Sequence, residues 1–191
     1  MFQIKDLNEV NIILGIKIKR HSERFSLCQS HYVKKVLQRF EHLNIKEANT
    51  PFDRSIKLGE NSGRTIAQLE NTSAIGSMMY AMHCTRLNIS FSVGKLSRFT
   101  NNRSVDHLKP ISRVLGYLKK TISLGLFYSE FPTVLEGYSD ANWITSVSDN
   151  KSTSGWIFTL GGGVISWASK KQTCISHSTM ESEFLALVTE G

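Results

Sequence analysis

Two carboxylates stand out by their setting. Asp140 closes an apolar, strand-like run, Val134-Leu135-Glu136-Gly137-Tyr138, inside the stretch Tyr138-Ser139-Asp140-Ala141-Asn142-Trp143. Glu183 follows in Ser178-Thr179-Met180-Glu181-Ser182-Glu183, in the first turns of a helix. One acid on a strand end and a second on a helix form half of a two-metal phosphodiester hydrolase, in which paired divalent ions clamp the attacking and leaving oxygens. Glu190 is the sole acid after Glu183, so the sequence presents that half alone. Glu181 has another job. Ser178 and Glu181 form a capping box in which each satisfies a free backbone donor of the other. A strand Asp and a helix Glu also occur commonly as plain surface residues, so the order of the surrounding elements decides between the two readings.

Those elements are legible in the periodicity. Ile12, Leu14, Ile16 and Ile18 alternate with Lys17 and Lys19, and Phe25 and Leu27 resume the alternation after His21-Ser22-Glu23-Arg24. Residues 10–28 therefore read as a β-hairpin. From Ser30, a candidate cap, the period becomes helical. Tyr32, Val33, Val36, Leu37, Phe40 and Leu43 share one face and Lys34, Lys35, Gln38 and Arg39 the other. That basic face suits a nucleic-acid backbone and equally suits plain solvation.

Residues 46–66 read as a polar loop, followed by helices near 68–83, 86–99 and 105–120. Ile75, Met78, Met79 and Met82 form a methionine-rich core stripe. Pro110 lies among the helically spaced Leu108, Ile111, Val114, Leu115 and Leu118, and is tolerated if that helix starts near Lys109. Residues 121–133 read as a joint between domains. Strands follow at 134–140, 155–160 and 164–169, the last two joined by Gly161-Gly162-Gly163, with a short strand at 173–177 before the final helix. The apolar face of that helix (Phe184, Leu187, Val188) is expected to pack on the sheet, bringing Glu183 toward Asp140.

The composition, 40% apolar and 20% charged, is that of a globular chain. No run is long and apolar enough for a membrane span, and Met1–Asp6 lacks a charged-then-apolar leader pattern. Cys28, Cys84 and Cys174 are scattered without ligand spacing, as in a reduced intracellular protein, cytoplasmic or nuclear. The net charge of +7 is uneven: residues 1–130 hold 20 basic against 10 acidic side chains, and 131–191 hold 3 against 6. A basic body joined to an acidic segment fits a phosphate-backbone binder beside a metal-binding site, and ordinary surface lysine also accounts for it.

Strand with terminal Asp, two-stranded hairpin, third strand and helix with an early Glu is the opening order of a ribonuclease H fold. The whole chain resembles the C-terminal polymerase region of Ty1/copia-type retrotransposon polyproteins. The resemblance is carried by Leu14-Gly15-Ile16-Lys17-Ile18, Gln29-Ser30-His31-Tyr32, Ile75-Gly76-Ser77-Met78-Met79-Tyr80, Thr85-Arg86, Tyr117-Leu118-Lys119-Lys120-Thr121, Tyr138-Ser139-Asp140, Ser152-Thr153-Ser154-Gly155, Ser166-Trp167-Ala168-Ser169-Lys170-Lys171-Gln172 and Glu181-Ser182-Glu183-Phe184. So many blocks in one order are far more specific than any one motif.

The resemblance implies an α+β protein: a small hairpin-plus-helices region similar to a reverse transcriptase thumb and connection over 1–130, then a truncated RNase H-like mixed sheet with helix over 131–191. It implies that Asp140 and Glu183 are the first two ligands of paired Mg2+ ions that hydrolyse RNA in an RNA–DNA hybrid, with further acids on later elements and the polymerase aspartates upstream. Neither active site is then complete in this chain. Lys34, Lys35, Arg39, Lys119 and Lys120 are the candidate nucleic-acid contacts. The implied partners are a hybrid or other nucleic acid and the rest of the polyprotein, with no membrane. Several positions depart from the family pattern: Leu87-Asn88 where Pro-Asp is usual, Asn142 for a second acid, His107-Leu108 for His-Trp, Pro110 for a small helix former, and Gly116 for Arg. Gly116 reads as drift, costing about 1 kcal/mol in a helix and removing a cation that would meet a phosphate. A non-catalytic basic module and a relic without function remain as alternatives.

Overall fold

The structure, a computed structural model, describes residues 9–22, 24–53, 55, 68–99, 108–129, 133–145 and 149–188, the side chains of 68–70 excepted. The expected loop beyond residue 55 and the start of the helix expected from 105 lie outside these residues. Among the described residues, two antiparallel sheets and five α-helices make an α+β fold.

The first sheet has the order β1 (Ile12–Ile13), β2 (Ile16–His21), β3 (Arg24–Cys28) and β4 (Gly125–Ser129). The expected continuous alternation through Ile12–Ile18 is broken by a reversal at Leu14-Gly15, where both residues have positive φ (49° and 74°) and Ile13 pairs back onto Ile16. Two consecutive left-handed residues make the tight turn that matches strand twist, and periodicity cannot register it because the apolar alternation runs on through the turn. Strand β4 falls inside the stretch read as a joint and pairs along the whole of β3.

Helix α1 (Ser30–Arg39) buries Val33 and Val36 and leaves Lys34, Lys35 and Arg39 exposed, as its pattern dictates. Ser30 is the first helical residue and not the cap; Gln29 holds that position, with its side-chain Oε1 accepting a buried hydrogen bond from Thr85 Oγ1 at 2.8 Å. Helices α2 (Gln68–Cys84), α3 (Ser90–Ser97) and α4 (Leu108–Lys120) complete one core with α1. Ile75, Met78 and Met82 are buried in it, and so are Ile111, Val114, Leu115 and Leu118 of α4. Pro110 is the third residue of α4, where the first turn's N–H groups have no intrahelical acceptor and a missing donor costs nothing.

The second sheet has the order β5 (Leu135–Asn142), β6 (Thr153–Leu160) and β7 (Gly163–Lys171), covered on one face by α5 (Thr179–Val188). Gly161 and Gly162, both at positive φ, close the β6–β7 hairpin. The expected strand at 173–177 is absent. That segment is tied down by side chains instead: Trp143 Nε1 donates to Ser176 O (3.1 Å), Ser152 and Ser176 hydroxyls pair at 2.8 Å, and Lys151 Nζ donates to Thr173 O (2.6 Å).

Helix α5 also differs from expectation. Phe184 and Leu187 are each 64% exposed, whereas Ser182 and Ala186 are the buried pair. Small side chains let the helix approach the sheet closely, and Gln172 Nε2 holds it there by donating to Ser154 Oγ (3.0 Å) and Ser182 O (2.8 Å). The capping box forms in half of its expected pattern. Glu181 N–H donates to Ser178 Oγ (3.1 Å), but the Glu181 carboxylate accepts from His177 N–H (2.7 Å) rather than from Ser178.

Candidate functional site

Successive strand residues alternate faces, and residues opposite one another share a face. Asp140 opposes Gly155, and Ala141 opposes Ser154. Ser154 bonds Gln172 beneath α5, so Ala141 and Ser154 belong to the helix-covered face and Asp140 to the other. On that other face Asp140 lines a cleft of about 940 Å³ between the second sheet and the helical core.

The cleft is built by contacts that join the two halves. Trp167 Nε1 donates to Met82 O at 2.9 Å, capping a carbonyl at the end of α2, and Tyr128 OH donates to Val164 O at 2.7 Å. Across from Asp140, Phe52 and Phe91 meet edge to face at 5.0 Å, with Lys95 Nζ 5.0 Å from the Phe52 ring. Burial lowers the Lys95 ammonium from its ordinary pKa, and nearby Arg98 lowers it further. Sequence reading missed Phe52, Phe91 and Lys95, because nothing local signals that a loop and a helix will face a distant sheet.

Glu183 is not in this cleft. It is exposed on α5, across the sheet from Asp140. Among the described residues that line the cleft, Asp140 is the sole carboxylate; its companions Asn142, Thr153 and Ser169 offer neutral oxygens. Among the described residues no three His, Cys, Asp or Glu side chains gather to hold a metal ion. Hard divalent cations need several oxygen ligands, and a two-ion centre needs bridging charge. This donor set does not fit a pair of magnesium ions.

The candidate phosphate contacts divide into two groups. Lys34, Lys35 and Arg39 project from the outer face of α1, with Arg39 Nη1 3.5 Å from Ser73 Oγ. Lys119 and Lys120 are engaged by the chain itself. Lys119 Nζ donates to Ile45 O at 3.2 Å, and Lys120 Nζ donates to Asn49 Oδ1. Both pin the segment 45–49 across α4.

Beside the cleft lies a buried cation. Arg86 is fully buried and donates through Nη1 to Thr121 O (3.0 Å), through Nη2 to Thr121 Oγ1 and through Nε to Asn88 Oδ1 (3.4 Å). Asn88 Nδ2 donates in turn to Tyr117 OH at 2.6 Å, and the guanidinium stands 6.0 Å from the Tyr117 ring centroid. Burial lowers the Arg86 pKa from its ordinary value, partly opposed by Tyr117. No described carboxylate forms an ion pair with it.

The chain is 38% identical to the Retrovirus-related Pol polyprotein from transposon TNT 1-94 of Nicotiana tabacum, over 100% of this chain and 15% of that one. It is 36% identical to the Retrovirus-related Pol polyprotein from transposon RE1 of Arabidopsis thaliana, over 96% of this chain and 13% of that one. The chain thus spans about one-seventh of the length of these relatives. It is also 43% identical to Secreted RxLR effector protein 161 of Plasmopara viticola, over 60% of this chain and 82% of that one. No protein-family model matches, and no solved structure does. Among the described residues, no helix is long and apolar enough to cross a membrane.

Proposed function

The chain belongs to the retrovirus-related Pol polyproteins of Ty1/copia-type retrotransposons, and from that premise we propose that it is a nucleic-acid-binding segment spanning the thumb and connection of the reverse transcriptase and the start of its RNase H domain. By itself it binds and does not cleave. The observation that carries the reading is the exposed row Lys34, Lys35 and Arg39 on α1, in a chain similar throughout to Pol polyproteins. Cations at helical spacing on one face suit successive phosphates of a duplex, and each phosphate neutralised releases counterions.

The test is fluorescence anisotropy with a labelled RNA–DNA hybrid across a salt series. Replacing Lys34, Lys35 and Arg39 together by Gln is expected to flatten the slope of log K against log salt by about 0.9 for each phosphate no longer neutralised. An unchanged slope sinks the role of this face.

The lone cleft carboxylate supports a second expectation. The purified chain with magnesium leaves the RNA of a hybrid intact, and Asp140→Asn behaves like the parent. Magnesium-dependent loss of RNA that Asp140→Asn abolishes would show that the donor set is completed in some other way. The alternative is a stand-alone basic module. It too predicts binding without cleavage.

A further inference from the structure

The first sheet has two unlike faces. By register one face carries Ile16, Ile18 and Arg20 of β2, Phe25 and Leu27 of β3 and Leu126 and Tyr128 of β4, with Arg20 and Phe25 exposed. The opposite face carries Lys17, Lys19 and His21 on β2, Arg24 on β3 and Phe127 on β4. All five are exposed, Phe127 at 63%. The paired residues of this face include no acidic side chain.

One row of this face has the order Lys19–Ser26–Phe127 across the three strands. Neighbouring strands lie about 4.8 Å apart, so the Lys19 and Phe127 backbones stand about 10 Å apart on either side of Ser26, which is itself buried. Along β2, Lys17, Lys19 and His21 recur every second residue, about 7 Å per step, comparable to the step between phosphates of an extended strand. A lone exposed aromatic is ordinary. An exposed aromatic on the edge strand β4, sharing its sheet face with Lys17, Lys19 and Arg24, is a combination that suits single-stranded nucleic acid: a π-surface for a base and neighbouring charges for the backbone.

We infer that this outer sheet face binds single-stranded nucleic acid, with one base stacked on Phe127 and the backbone tracked by Lys17, Lys19 and Arg24. The inference rests on the nucleic-acid reading above but uses a different surface from α1. Because the aromatic contributes by stacking, the face takes any base and tolerates sequence change.

The experiment is anisotropy of a fluorescein-labelled oligothymidylate with the full chain, alongside the hybrid titration. Phe127→Ala is expected to weaken oligothymidylate binding about 5- to 150-fold, the equivalent of one stacked base removed, and Phe127→Trp to retain it. Lys17→Gln with Lys19→Gln is expected to reduce the single-strand salt slope by about 1.4. Phe127 is exposed, so the melting temperature should stay at the parent value and exclude misfolding as the cause. If the parent binds and Phe127→Ala binds equally well, this site is wrong while the nucleic-acid reading stands. If the parent binds neither the oligonucleotide nor the hybrid, both fall together.

Discussion

Gly116→Ala is expected to destabilise the chain, although alanine is the better helix former. On an open helix face the exchange would gain about 1 kcal/mol. Here the segment 45–50 crosses α4 directly over Gly116. An added Cβ would intrude well inside van der Waals contact of the Lys46 carbonyl oxygen and lie 3.2 Å from its carbonyl carbon. The obstruction is backbone, and it is fastened on both sides. Lys119 holds Ile45 O and Lys120 holds Asn49; Arg113 donates to Thr50 O (3.2 Å) and Thr50 Oγ1 (2.9 Å) and pairs with Asp53 at 3.1 Å. With little freedom to yield, the overpacking costs about 2–4 kcal/mol, outweighing the propensity gain by about 1–3 kcal/mol. At about 2–4 °C per kcal/mol for a chain of this size, the melting temperature should fall by roughly 3–10 °C. Gly116→Arg, with a far larger side chain at the same place, should be worse still. A melting temperature that rises for Gly116→Ala would show that the segment gives way freely.

That position also marks where sequence reading stops. Gly116 reads as drift, with a helix cost and a missing phosphate-binding cation, because a crossing strand of backbone leaves no local trace. The helices are legible because one-sided burial imposes its period on the residues themselves: Val33 and Val36 on α1, and Ile111, Val114, Leu115 and Leu118 on α4, are buried as their spacing requires. Where the period is ambiguous, legibility fails. Helix α5 offers Phe184, Leu187 and Val188 as the obvious inner face, yet Ser182 and Ala186 are the residues pressed against the sheet. Size complementarity with the sheet, and the Gln172 side chain that holds Ser182 O, decide the matter. The candidate site divides in the same way. Asp140 is legible from its strand end, but the face it occupies depends on the β5–β6 register, and the cleft depends on Phe52 and Lys95 arriving from distant segments.

Asn88→Asp is expected to stabilise the chain at neutral pH, and the reason lies in how Arg86 is buried. A guanidinium withdrawn from water needs its donors met and its charge balanced, and breaking either condition is costly. Thr121 and Asn88 meet the donors with neutral oxygens; no described carboxylate balances the charge. Asn88 already places Oδ1 3.4 Å from Arg86 Nε and Nδ2 2.6 Å from Tyr117 OH. A carboxylate in the same place would accept from the guanidinium, and the Tyr117 hydroxyl can turn to donate to it. Charge-assisted hydrogen bonds are worth about 1.5–3 kcal/mol, and partial desolvation of the new acid takes back a share, leaving a gain of about 1–2 kcal/mol. The melting temperature should rise by roughly 3–6 °C. The gain carries a pH signature. The guanidinium would hold the new carboxyl's folded pKa below its unfolded value of about 3.9. The stabilisation is therefore fully present above that value and lost as pH falls through the folded pKa. Thermal melts of parent and variant should differ at pH 7 and converge in acid. Equal melting temperatures at pH 7, or a gain that survives in acid, would mean that Arg86 is already balanced by its dipolar neighbours.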